Sequence, residues 1–105
     1  MFTPTEYELL SLPYFNTVSR DPDRYEVQSK NTGHFWALIP DRGGIRLLHK
    51  YREKDRYHLQ TYCYDVLSTV LEIISHDDYI LCQKNPLFEE LVNKYDYSTS
   101  SPLVS

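Results

Sequence analysis

Residues 24–51 read RYEVQSKNTGHFWALIPDRGGIRLLHKY, and this stretch decides the fold. Tyr25 and Val27 alternate with Glu26 and Gln28, the period of two that a half-buried strand requires. Asn31-Thr32-Gly33 supplies a hairpin connection, with glycine where a positive φ is needed. A second strand follows from His34 to Pro40. Its Phe35-Trp36-Ala37-Leu38-Ile39 run is apolar on both faces, which suits a central strand. Asp41-Arg42-Gly43-Gly44 makes another tight turn. In the third strand Ile45, Leu47, His49 and Tyr51 share one face, while Arg46, Leu48 and Lys50 share the other. Two short turns join these strands as an antiparallel meander.

On the N-terminal side, Thr3, Pro4 and Glu6 form a capping box with proline at the first helical position. They predict a helix over residues 4–11, with Leu9, Leu10 and Leu12 on its apolar side and Pro13 as its stop. Residues 16–23 are polar and turn-rich. On the C-terminal side, residues 52–60 read as a charged loop, with at most a short strand over residues 57–60. Cys63, Val66, Leu67, Val70, Leu71 and Ile74 then recur at helical spacing. They predict a helix over residues 62–76, with Thr61 as cap and Asp65 in the first turn. Residues 79–82 fit either a last helical turn or a short edge strand. Asn85-Pro86 opens a final helix, whose apolar side is Leu87, Phe88, Leu91, Val92 and Tyr95.

These elements predict a two-layer α+β domain. A three-stranded antiparallel β-meander packs against helices in the order α-β-β-β-α-α. Residues 1–96 form the single domain, and residues 97–105 read as a frayed tail. Trp36, Leu38, Leu47, Val66, Leu67, Val70 and Leu71 are the expected core. The element order resembles that of the double-stranded RNA-binding domain, which implies a basic cluster opening the last helix. Here that position reads Thr61-Tyr62-Cys63-Tyr64-Asp65, without Lys or Arg.

A length of 105 residues allows one domain. With 41% hydrophobic residues and a net charge of −4, the chain has the composition of a folded protein. The N-terminus lacks the basic and apolar regions of a secretory signal, and no apolar run reaches membrane-spanning length. Cys63 and Cys82 have neither disulfide-framework nor metal-ligand spacing, so reduced thiols and a cytoplasmic location are expected. His76-Asp77-Asp78 lines up three potential ligands, too few and too close in sequence for a metal site. Neither metal nor cofactor is expected.

The charge is unevenly distributed. Residues 1–41 carry 3 basic and 6 acidic side chains, residues 42–60 carry 6 and 2, and residues 61–105 carry 2 and 7. The basic segment interleaves with Tyr51, Tyr57, His49 and His58, and Tyr62 and Tyr64 follow it. Arginine and tyrosine are typical anchors of protein interfaces. Arg46, Lys50, Tyr51, Arg52, Arg56, Tyr57 and His58 are therefore the candidate partner-binding residues. The bland alternative is a solvated edge in which Glu53 and Asp55 pair with their neighbours.

No local catalytic signature is present, so the chain reads as a non-enzymatic protein-binding module. Its acidic remainder suits an inhibitor or regulator of nucleic-acid-handling machinery, in the manner of anti-CRISPR proteins. Direct nucleic-acid binding by residues 42–60 is the alternative. A small ribonuclease using His49, Lys50, Arg52, Tyr57 and His58 is a weaker one.

Overall fold

The computed structural model describes residues 2–96. The sequence's frayed tail, residues 97–105, lies outside them. The order is α1 (Pro4–Leu10), β1 (Phe15–Asp21), β2 (Arg24–Ser29), β3 (Phe35–Asp41), β4 (Gly44–Lys50), β5 (His58–Cys63), α2 (Val66–Leu81) and α3 (Pro86–Lys94). The class is α+β, as expected, but the antiparallel sheet has five strands rather than three. They lie in sequence order, β1-β2-β3-β4-β5. The expected order α-β-β-β-α-α therefore gains a strand at each edge, and the likeness in order to the double-stranded RNA-binding domain lapses.

Both additional strands are edges, and edges show little hydrophobic period. In β1 only Phe15 is buried, and the pairing with β2 shifts between Thr17 and Ser19. Its polar residues face water, which is why residues 16–23 resemble a loop. Pro22-Asp23 closes the β1–β2 hairpin, where the Asp21 carboxylate accepts the Asp23 N–H at 2.8 Å. In β5 no residue is fully buried. Thr61, Tyr62 and Cys63 belong to this strand and not to the helix. Cys63 mimics the helical stripe only because it stands three residues before Val66.

The true cap of α2 is Asp65. Its carboxylate accepts the Ser68 N–H at 2.8 Å, and the Ser68 hydroxyl accepts the Asp65 N–H at 3.0 Å. Asp65→Ala removes this cap and is expected to lower stability by about 1 kcal/mol, read as a shift in the urea midpoint at unchanged slope. The helix continues through residues 79–81, so that segment is its last turn. It stops at Cys82, whose left-handed conformation (φ 52°) serves as C-cap. The N-terminal helix has the expected capping box, with Thr3 and Glu6 bonding reciprocally.

At the β3–β4 turn Arg42 and Gly43 have φ of 52° and 84°, the left-handed pair that a tight hairpin demands. Gly44 is needed for a different reason. A Cβ there would stand 2.8 Å from the Cys63 carbonyl oxygen of β5.

The helices cover one face of the sheet. Tyr25 and Val27 of β2, Trp36 and Leu38 of β3, and Ile45 and Leu47 of β4 meet Val66, Val70, Ile73 and Ile74 of α2 in one core. Of the expected core only Leu67 is less than fully buried, at the margin of this cluster. Cys63 and Cys82 are free thiols. Among the described residues no helix is long and apolar enough to cross a membrane.

Candidate functional site

Strict alternation in β2 and β4 sends every second side chain away from the helices. The register then defines a second, bare face. Glu26 pairs with Ala37 and Ala37 with Leu48. Ile39 pairs with Arg46 and Arg46 with Tyr62, while Leu48 pairs with Leu59. Among the described residues the helices pack on the opposite face. Tyr62 is 63% exposed and Leu59 48%.

The loop between β4 and β5 folds back over part of this face. Tyr57 spans from β5 to β2, where its hydroxyl donates to Glu26 at 3.0 Å. The Lys50 ammonium lies 4.5 Å from the Tyr57 ring centre and 5.3 Å from that of Phe35, and the Arg24 guanidinium lies 5.2 Å from the Tyr57 ring centre. Burial, together with the bond to Glu26, pushes the Tyr57 hydroxyl well above the ordinary phenolic range. Ala37 points away from the helices and still has no exposed surface.

The seven residues expected to bind a partner separate into three groups. Arg46, Lys50 and Tyr57 lie on the bare face. Arg52 and Arg56 are exposed in the loop. Tyr51 and His58 stand at the end of the helix-covered face, edge-on to His49 at 5.0 and 5.2 Å. The same partition divides the ribonuclease constellation, since His49 is buried on the face opposite Lys50 and Tyr57. Among the described residues Glu53 and Asp55 form no ion pair with their basic neighbours. Lys50 donates to the Glu53 main-chain carbonyl, and the Asp55 carboxylate accepts the Arg52 main-chain N–H. Among the described residues none of Arg46, Lys50, Arg52 and Arg56 forms an ion pair, and the buried Nε of Arg46 has no hydrogen-bond partner.

A second feature was invisible in the sequence. His34, just before β3, His49 of β4 and His76 of α2 bring one nitrogen each to within 4.8 Å of one another. His49 is 1% exposed and the other two are half-buried. The Nε2 of His49 lies 3.1 Å from the Nδ1 of His34, so one ring donates and the other accepts. Trp36 packs on His49 at 4.3 Å and edge-on to His76 at 5.0 Å. Burial lowers the pKa of both His34 and His49. For His49, with His76, His34 and His58 close by, it falls to about 4. Both rings are neutral at pH 7, and of their two facing nitrogens one carries the shared proton and the other the lone pair that accepts it.

Next to the cluster lies Asp77, fully buried. Its carboxylate accepts the Tyr14 hydroxyl at 2.6 Å and the Thr32 hydroxyl at 3.1 Å. These bonds tie α2 to the segment before β1 and to the β2–β3 turn. Burial and this bond raise the Tyr14 hydroxyl far above its ordinary range. The Nδ1 of His76 lies 3.8 Å from the Asp77 carboxylate, beyond hydrogen-bond distance.

No protein-family profile, curated protein or solved structure matches this chain at a significant level.

Proposed function

We propose that this domain is a non-enzymatic protein-binding module. The bare face of its sheet docks on an acidic surface of a partner protein. Occupying that surface makes the module an inhibitor or regulator.

The observation that carries this reading is Arg46. Its Nε is buried without an acceptor on a face that no helix covers. A buried donor left unpaired costs about 1–3 kcal/mol, and a shift of the Arg46 side chain towards a partner carboxylate would relieve that with a charge-assisted bond. Lys50 adds a second cation, and Leu59 and Tyr62 beside Arg46 supply the apolar and aromatic contact area that anchors interfaces. Glu6, Glu8, Glu72, Asp78, Glu89 and Glu90 lie on the helices, across the sheet from Arg46 and Lys50.

Nucleic acid is the second reading for the same face, because Arg46 and Lys50 could hold phosphates and Tyr62 could stack on a base. The net charge of −4 opposes it. Nuclease-treated extract of the native host, passed over the immobilised protein, separates the two. Retention of a discrete acidic protein by the wild type, and its loss with Arg46→Glu/Lys50→Glu of unchanged circular dichroism, is the expected result. Capture that nuclease abolishes would assign the face to nucleic acid. Identical capture by the double variant would remove the face from the account.

A further inference from the structure

We propose that His34, His49 and His76 bind one divalent transition-metal ion of the zinc class, with three protein ligands and one position left for water or an external ligand. The inference is independent of the recognition face, which lies on the other side of the sheet.

The geometry comes first. With zinc–nitrogen bonds of 2.0–2.1 Å, two imidazole nitrogens on a tetrahedral ion stand about 3.3 Å apart. The Nδ1 of His34 and the Nε2 of His49 already lie 3.1 Å apart. The nitrogen of His76 is within 4.8 Å of both. The three ligands come from the approach to β3, from β4 and from α2. His34, two residues before Trp36, falls on the same side of the sheet as Trp36, which pairs with His49.

Hydrogen bonding supplies a second observation. The Nδ1 of His76 is buried and has no hydrogen-bond partner among the described residues. Beside it Asp77, fully buried, accepts hydrogen bonds from two neutral hydroxyls among the described residues. A buried carboxylate ordinarily has a cation or a metal near it. An ion between the imidazoles would place positive charge near Asp77 and turn the loose 3.8 Å contact with His76 into the carboxylate–histidine–metal relay that orients a ligand ring.

The donor set chooses the metal. Three imidazoles suit zinc, copper, nickel or iron, whereas calcium and magnesium require oxygen ligands. Neither thiol belongs to the cluster. A metal here would join α2 to the end of the sheet where His34 and Tyr51 lie, and free protein would give up that tie.

Competition against a chromogenic zinc indicator at neutral pH, with tag-free, chelator-treated protein, tests the proposal. The wild type is expected to withdraw one equivalent of zinc and to melt at a higher temperature when loaded. His34→Ala and His76→Ala, both at half-buried positions, are expected to lose that competition, while Cys82→Ser retains it. Far-UV circular dichroism establishes that the histidine variants are folded. If either is not, His34→Gln and His76→Gln, which keep side-chain bulk, take its place. Failure of the wild type to compete, or undiminished competition by both histidine variants, would overturn the proposal.

Discussion

Replacing Asp77 with alanine is expected to cost about 3 kcal/mol, the largest loss of any single polar substitution in this chain. The carboxylate is fully buried and gathers two donors from distant parts of the sequence, Tyr14 and Thr32. Truncation strands the Tyr14 hydroxyl in a site that water does not reach, and leaves the space of the carboxylate unfilled. Asp77→Asn keeps a carbonyl acceptor for one hydroxyl and should lose roughly half as much. Urea unfolding of both variants at pH 7, with chelator present, gives the two midpoints. Asp77→Ala with a wild-type midpoint would mean that the network contributes nothing.

The second large effect is a loss of stability in mild acid. The folded pKa of His49, about 4, lies below the unfolded value near 6.5. Above pH 6.5 both states are neutral and the contribution is complete. As pH falls from there towards 4, the unfolded chain takes up a proton that the folded chain refuses, so stability drops. Below 4 both states are protonated and the contribution stops changing. Discounted for partial solvent screening, the lowered pKa corresponds to on the order of 2 kcal/mol, and His34, also lowered by burial, adds to it. The rings of His34, His58 and His76 reinforce the shift in His49, whereas Asp77 opposes the one in His34. Unfolding measured in chelator at pH 7, 6, 5 and 4.5 should show the decline. It should flatten in His49→Gln, provided that variant folds at pH 7. A wild-type profile flat across this window would contradict the burial of neutral histidine.

The interior of the sheet was legible because interior strands must alternate or be apolar throughout. Val27, Trp36, Leu47 and the placement of Arg46 and Lys50 opposite His49 all follow from period two. The edges were not legible, for the same physical reason. In β1 and β5 the outer side is water, so Asn16, Ser19 and Gln60 are as acceptable as any apolar residue. The start of α2 was misplaced because Cys63, a strand residue, continues the helical spacing backwards from Val66. Asp65, with Ser68 three residues on, carried the better cap.

The candidate sites divide in the same way. That Arg46, Leu48 and Lys50 share a face could be read from spacing. The route of Tyr57 across that face could not, since it depends on how the charged loop folds back. The histidine cluster required knowing that residues 34, 49 and 76 meet at one end of the sheet, and separations of 15 and 27 residues resemble no metal motif. The hint available was His49 itself, a polar residue on the face shared by Ile45 and Leu47.

Photo-crosslinking in the native host tests the recognition face most directly. A photoreactive side chain at Leu59 lies on the bare face beside Leu48. One at Tyr79, which is 82% exposed on α2, lies in the helix layer. The account predicts that position 59 crosslinks to one acidic protein, that Arg46→Glu/Lys50→Glu abolishes the crosslink, and that position 79 does not form it. Crosslinking of a partner from position 79 and none from position 59 would contradict it.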